Sequence, residues 1–196
     1  NPAGGCMSLT CFKNGSLARD RVRREAGAEW TFFDRTAFDL TLPGNGGRLA
    51  LPWFEAEITP PVLTPGLRAN FDFRAAAPEV RIRATVEGQA LALRSHAQWI
   101  GRFGAIRVTG GASKSSGIRQ TLADVFQARV ESIAVADSAA LGAAMLAAHA
   151  DGVPLAAMTA AFSPVSAVCE PRAEYAAVYD GLLPVIRELE KAAPAG

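Results

Sequence analysis

Residues 105–149 decide the fold, and they read AIRVTGGASKSSGIRQTLADVFQARVESIAVADSAALGAAMLAAH. An apolar segment containing Ile106 and Val108 predicts a strand that runs into the glycine pair Gly110-Gly111. Apolar residues then recur at helical spacing from Ile118 to Phe126, and a second strand and an alanine-rich helix follow. The first helix is therefore predicted to pack on a sheet, with a polar face made of Arg119, Gln120, Asp124 and Gln127.

The turn at Gly110, Gly111 and Ala112 is the first candidate for a binding site. These residues have little or no side chain, so their backbone N–H groups can come close to a ligand. The helix that follows directs its positive N-terminal end at the turn, an arrangement that attracts phosphate or ribose oxygens. The pattern is neither GxGxxG nor GxxxxGK[ST], so a tight structural turn is the alternative.

Composition predicts one globular domain. The chain has 196 residues, of which 49% are hydrophobic and 20% charged. A net charge of +1 gives no reason to expect nucleic acid or an anionic membrane as a partner, and no apolar run reaches membrane-spanning length. Three cysteines without a CxxC pair, Cys6, Cys11 and Cys169, fit reduced thiols in a cytoplasmic protein. The start at Asn1-Pro2, without methionine or a signal peptide, indicates a fragment or a processed chain.

Before the glycine turn, the chain predicts two helices and two strands. A surface helix over residues 14–26 has Ser16 as its N-cap and Gly27 as its stop, and the aromatic cluster that follows is expected in the core. The glycine-rich loop at residues 44–47 is interpreted as a turn entering a strand; a phosphate cradle is the alternative. A short strand is expected at residues 69–73, and a mostly buried helix begins at Pro78. The aromatic residues are Trp30, Phe32, Phe33 and Phe38.

After the central stretch, residues 153–162 predict a helical connector, and an apolar stripe from Tyr175 to Leu189 predicts a docked last helix. Glu87 and His96 are candidates for catalytic residues, but the sequence shows no convincing partner residue for either. We interpret Glu87 as a buried glutamate hydrogen-bonded across a helix pair and His96 as a partly exposed helical histidine. His149 is expected to cap the last carbonyls of its helix.

Together these segments resemble the carboxy-terminal lobe of the FGGY carbohydrate kinases, most closely the eukaryote-type xylulose kinase branch. The resemblance runs the length of the chain, from Asn1-Pro2 onward, and six motifs occur in the family's order. They are CFKNGSLARDRVR, GNGG at residues 44–47, EITP at residues 57–60, RATVEGQALALRSHA, TGGASKSSGIRQTLADVFQARV at residues 109–130, and ADSAALGAAMLAAH.

The resemblance implies an α/β fold of the actin/hexokinase-like (ribonuclease H-like) ATPase class, a mixed sheet flanked by helices, with residues 1–196 as a single lobe. The alanine-rich helix would lie in the core of this lobe. ATP and Mg²⁺ would be the cofactors. Gly110, Gly111 and Ala112 would pass their backbone against the adenosine, and Ser115 stands where relatives often have an asparagine that contacts the base or ribose. At residues 71–74 the chain departs from the wider family, where many members have a Gly-Leu-Thr run beside the nucleotide.

The implied activity is transfer of the γ-phosphate of ATP to a ketose hydroxyl, with D-xylulose as the expected substrate. In the family, the aspartate base and the phosphate-binding loop lie in an amino-terminal lobe that also binds most of the sugar. Nothing in these residues matches either the base or the loop. No catalytic residue and no metal ligand is therefore assigned, and the isolated chain is expected to be inactive. Three alternatives stay open: a non-catalytic actin-like nucleotide-binding or interaction module, a kinase for another sugar or polyol, and, least supported, a Rossmann-type dehydrogenase. A homodimer is also left open.

Overall fold

The computed structural model describes residues 8–102, 104–135 and 137–194. Cys6 and the opening Asn1-Pro2 lie outside these ranges. The first helix of the described residues is α1 (Ser16–Glu25), and a π-helical turn (Phe32–Thr36) that continues into the short α2 (Ala37–Asp39) follows it. Strands β1 (Ala50–Trp53) and β2 (Gly66–Ala69) precede the long helix α3 (Pro78–His96).

The second half alternates strands and helices. It contains β3 (Ala105–Val108), α4 (Ser116–Phe126), β4 (Arg129–Ile133), α5 (Ser138–Ala150), α6 (Leu155–Phe162), β5 (Val165–Cys169) and α7 (Ala176–Lys191). Short 3₁₀ turns lie at Asn45–Gly47, Gln98–Ile100, Gly111–Lys114 and Ala173–Tyr175. Among the described residues, no helix is both long and apolar enough to cross a membrane.

Two small sheets carry the strands. β1 and β2 form an antiparallel pair in which Ala50 lies opposite Ala69. β4 is the middle strand of a three-stranded mixed sheet, parallel to β3 on one side and antiparallel to β5 on the other. The parallel β3–α4–β4 unit places α4 against the sheet, as the periodicity of residues 118–126 predicted. The predicted α/β architecture, a mixed sheet flanked by helices, is confirmed.

Helix α3 lies at the centre of the apolar core. It packs against α1, α4, α7 and strand β1. Residues 82–88 are buried without a break, and Gly88 lets the helix approach β1 so closely that a Cβ at this position would overlap the carbonyl oxygen of Ala50. The largest core cluster joins α3 and β1 to α7, whose apolar stripe docks as predicted. Its buried residues on α7 are Tyr179, Leu182, Leu183, Ile186 and Leu189.

The loop at residues 44–47 is a turn that leads into β1, in agreement with the first interpretation. Other local predictions were wrong. The strand expected at residues 69–73 lies earlier in the chain, because β2 runs from Gly66 to Ala69. Ser16 is the first helical residue of α1, and Gly15 occupies the cap position. β5 was not predicted, since it is only five residues long and lies between two helices. His149 contacts the carbonyl of Val153, beyond its helix, so it does not cap the last turn.

Asp124 and α5 correct two expectations about burial. Asp124 is fully buried although we assigned it to a polar face, because the backbone and guanidinium of Arg172 both donate to its carboxylate. That contact raises the pKa of Arg172. The alanine-rich helix α5 contains no buried residue, although the sequence predicted that it lies in the core. It packs mainly on α6, and much of its surface faces solvent.

Candidate functional site

The glycine turn connects β3 to α4. Gly110 adopts φ 78° and ψ −167°, a backbone conformation that only glycine adopts readily, and the 3₁₀ turn Gly111–Lys114 follows. Side-chain hydrogen bonds help to hold this turn in place: the Ser113 hydroxyl donates to the Gly110 carbonyl at 2.7 Å, and Arg119 donates to the Ser113 carbonyl at 2.6 Å. Gly111 has no heavy atom within 4 Å of a Cβ built on it, so its surface is open.

A cleft of about 520 Å³, here called the Trp30 cleft, opens on one side of this turn. The turn forms one wall, and α1 together with the aromatic segment after it forms the other. Apolar rings and charged groups both face the space, a composition that suits a ligand with a flat ring and a charged portion. Its lining includes Arg19, Trp30, Phe33, Gly111, Ala112 and Lys114.

A second cleft of about 300 Å³ lies on the other side of the turn, at the carboxyl ends of the parallel strands β3 and β4. Gly110, Gly111 and Lys114 line it together with Ser132 and Ser166. In open α/β sheets, ligands bind in crevices at the carboxyl ends of the strands. The glycine turn therefore lies between two clefts, and three of the four predicted contact residues line at least one of them.

The fourth predicted contact residue, Ser115, is turned into the protein. It is 2% exposed and forms the N-cap of α4, where its hydroxyl accepts a hydrogen bond from the Ile118 amide at 3.3 Å. The same hydroxyl donates to the carbonyl of Asp34 at 3.2 Å, which ties the turn to the aromatic segment. Ser115 thus fixes the start of α4 and the position of the turn relative to the opposite wall of the Trp30 cleft.

Trp30 is one of the lining residues that sequence reasoning missed. The aromatic cluster was expected in the core, and Phe33 is indeed fully buried, but Trp30 is 46% exposed. Its ring meets Phe33 edge to face at 5.6 Å between centroids, and the Arg23 guanidinium lies 4.7 Å from the Trp30 ring centroid. Nothing in the spacing of the cluster distinguishes the exposed ring from the buried one, because the π-helical turn shifts the register of this segment.

Glu87 forms a buried structural network instead of a catalytic centre. Its Oε1 accepts hydrogen bonds from Arg83 at 3.0 Å, from the Gly44 amide at 2.9 Å and from the Tyr179 hydroxyl at 2.9 Å. Burial raises the pKa of Glu87, while these three contacts act against the rise. The predicted bond across a helix pair, α3 to α7, is confirmed. His96 is a partly exposed helical histidine, as the sequence predicted, and its Nε2 lies 2.9 Å from Oε1 of Glu190.

Within residues 8–102, 104–135 and 137–194, no group of three or more His, Cys, Asp or Glu side chains lies close enough to hold a metal ion. Cys11 and Cys169 are free thiols. The arrangement around the glycine turn, by contrast, combines backbone N–H groups, an exposed indole and two cations. Such a surface can bind a ligand that carries both an aromatic ring and an anionic group.

Comparison with known proteins gives a consistent result. A family model described as the FGGY family of carbohydrate kinases, C-terminal domain, matches residues 7–150. Xylulose kinase of Rattus norvegicus is 38% identical over 94% of this chain, and the match covers 36% of that protein. Xylulose kinase of Mus musculus is 37% identical over 94% of this chain and 35% of that protein. The chain therefore spans just over a third of the length of these relatives.

Solved structures share the fold. The crystal structure of ligand-bound xylulose kinase from Lactobacillus acidophilus superposes with a TM-score of 0.78 at 23% identity, covering 92% of this chain and 38% of that one. Glycerol kinase of Plasmodium falciparum, solved with ADP, gives a TM-score of 0.67 at 14% identity, covering 92% of this chain and 36% of that one. At these identities the likeness concerns the fold, and it supports the actin/hexokinase-like class over a Rossmann-type dehydrogenase.

Proposed function

The chain belongs to the FGGY family of carbohydrate kinases, and we propose that it is the ATP-binding part of such a kinase. The observation that carries the proposal is the position of the family's glycine turn. Gly111 and Ala112 form one wall of the Trp30 cleft, and an exposed indole stands on the other. The turn has open space above Gly111, as close approach of a ligand to the backbone requires.

In the proposed complex, the nucleotide occupies the Trp30 cleft. The Trp30 ring packs against the adenine, and the backbone at Gly110, Gly111 and Ala112 contacts the adenosine and the first phosphate. A direct contact from Ser115 stays a prediction, and it requires the hydroxyl to exchange one of its two present partners for the ligand. In either case Ser115 positions the turn.

For the full-length protein, we propose transfer of the γ-phosphate of ATP to a ketose hydroxyl, with D-xylulose as substrate. This rests on the relatives named xylulose kinase and on their identity to nearly the whole of this chain. We assign the sugar-binding site and the catalytic base to parts of the full-length protein beyond these 196 residues. In such transfers, binding and positioning of the nucleotide contribute much of the catalysis. We expect the chain alone to bind nucleotide weakly and to phosphorylate no sugar.

Mg²⁺ is proposed to enter together with the phosphates of ATP. It commonly binds through substrate phosphates, water and one or two carboxylates. Because the described residues offer no carboxylate cluster, no side chain of this chain is proposed as its ligand. We also propose a cytoplasmic location, which the free thiols of Cys11 and Cys169 support. A homodimer is left open, and light scattering after size-exclusion chromatography determines it.

Replacement of Gly111 by valine tests the nucleotide site. The φ of Gly111 is not positive, and a Cβ there meets no atom, so the folded chain tolerates the substitution and its Tm changes by no more than roughly 2–4 °C. The two added methyl groups project into the space proposed for the ligand. Calorimetric titration with Mg·ADP should show affinity reduced by about tenfold or more, since backbone bonds to a charged ligand are lost.

Gly104→Val is the matched control, because Gly104 also has open space and lies before β3, away from the cleft. It should bind Mg·ADP as the unaltered chain does. Equal binding by Gly111→Val and Gly104→Val would contradict a nucleotide at the turn and favour a purely structural turn. A strong loss of Tm in Gly111→Val alone would point to the same conclusion.

A further inference from the structure

Arg19 differs from the other arginines of α1 in having no acidic partner among the residues that the structure describes. Arg21 pairs with Glu25, and Arg23 and Arg24 both pair with Asp20. Among the described residues, the hydrogen bond recorded for the Arg19 side chain is from its Nη1 to the Oε1 of Gln89, at 2.9 Å. This partner is neutral, so Arg19 forms no ion pair with the described residues.

The surroundings of Arg19 disfavour its positive charge, because the guanidinium is partly removed from water. The residue is only partly exposed, and burial lowers the pKa of its guanidinium. Arginine nevertheless stays protonated in proteins. Gln89, on α3, holds the guanidinium in place and is itself fixed by donating to the carbonyl of Asn14 at 2.7 Å. A side chain that is oriented by a neutral amide and left without a counter-charge is arranged to meet an anion from outside the protein.

The Trp30 cleft is the space in which such an anion can reach Arg19. Arg19 lines this cleft from α1, and Lys114 lines it from the glycine turn. Asp34 adds one carboxylate to the lining. Because Arg19 and Lys114 are both cations, the lining carries a net positive charge. Two cations on facing walls repel one another until an anionic group enters between them.

We propose that Arg19 is a nucleotide-contacting residue whose guanidinium donates to phosphate oxygens of the nucleotide held by the glycine turn. The assignment rests on the proposed function, and it adds a phosphate-contacting guanidinium to a site that is lined by Lys114, by backbone N–H groups and by an aromatic ring. Gln89 acts as its positioning residue. Because the contact is to phosphate, it contributes to the binding of ADP and contributes nothing to the binding of adenosine.

Calorimetric titration of the chain with Mg·ADP and with adenosine tests the assignment. Arg19→Met keeps the apolar part of the side chain and removes the donors, so affinity for Mg·ADP should fall about tenfold or more, and affinity for adenosine should stay unchanged. Arg19→Lys keeps the charge and should recover part of the ADP affinity. Arg24→Met is the control, since Arg24 lies on the same helix, is exposed and is paired with Asp20.

The outcomes separate this inference from the proposed function. If Arg19→Met binds Mg·ADP as tightly as the unaltered chain does, or loses ADP and adenosine affinity equally, the phosphate contact is wrong. In that case a loss of ADP affinity in Gly111→Val still supports the nucleotide site. If the unaltered chain binds neither ligand at millimolar concentration, both proposals fail. A circular dichroism melt of each variant identifies any loss that comes from unfolding.

Discussion

Helices α3 and α5 share a high content of small residues but lie in opposite environments. Both are rich in small and apolar residues, and each has one interior glycine. In α3, Gly88 faces β1 with no room for a Cβ, and every residue from position 82 to 88 is buried. In α5, a Cβ on Gly142 would meet no atom within 4 Å, and no residue of the helix is buried. Small residues permit close packing, but they do not show that a neighbour is present.

The same contrast holds for charged pairs. Arg83 and Glu87 on α3 have the same spacing and order as Arg21 and Glu25 on α1. The α3 pair is 4% and 0% exposed, while the α1 pair is 51% and 48% exposed. An exposed pair exchanges its contacts with water at little cost, whereas a buried pair leaves an uncompensated charge when one partner is removed. The environment of each helix therefore decides what a given sequence contributes to stability.

Glu87→Gln should have the largest effect on stability. The amide keeps the shape of the side chain but leaves Arg83 buried without its counter-charge, at a cost of about 3–5 kcal/mol. The Tm should fall by roughly 10 °C or more, as measured by thermal melts at neutral pH. Glu25→Gln, in the exposed pair of identical spacing, should change the free energy of unfolding by no more than about 0.5 kcal/mol.

A specific result would contradict this account of the buried pair. Burial raises the pKa of Glu87, and a carboxyl that is neutral in the folded state at neutral pH would be well imitated by glutamine. The Tm of Glu87→Gln would then match that of the unaltered chain. We expect an ionised Glu87, because Arg83, Gly44 and Tyr179 all donate to the same carboxylate oxygen.

Gly88→Ala should have the next largest effect. The added methyl group would overlap the carbonyl of Ala50, so α3 and β1 must move apart, and overpacking of this kind costs about 1–3 kcal/mol or more. The higher helix propensity of alanine returns about 1 kcal/mol. Chemical denaturation should show a net loss of stability. A gain in stability would mean that β1 does not pack on α3 as described.

The sequence predicted those parts of the fold that a local periodic pattern of apolar residues marks. The periodicity of residues 118–126 predicted a helix on a sheet, and the stripe on α7 predicted docking. Both hold, because β4, α3 and β1 supply the surfaces that these stripes need. Asp124 could not be predicted as buried, because its partner Arg172 lies 48 positions away. Burial of a charge depends on a contact that no local pattern records.

The candidate site was predictable only in its backbone. The glycine pair and the start of α4 stood out, because glycines followed by an amphipathic helix have a direct structural meaning. The opposite wall of the Trp30 cleft did not stand out. Arg19 resembled its neighbours on a charged helix, and Trp30 resembled its neighbours in an aromatic cluster. Their roles follow from the packing of α1 and the π-helical turn beside a segment about 80 to 90 positions later in the chain.

Gly142→Ala should have the smallest effect of the series. What matters is whether the Tm rises or falls. An alanine in the interior of an exposed helix is about 1 kcal/mol more favourable than a glycine, so the Tm of the chain should rise by roughly 2–4 °C. Gly142→Leu should also be neutral or slightly stabilising, since no atom lies within 4 Å to be displaced.

Melts at two protein concentrations complete the test, because stabilisation that comes from propensity does not depend on concentration. Destabilisation by leucine, growing with protein concentration, would instead mean that a second copy covers α5 in solution. The alanine-rich surface would then be an interface between copies.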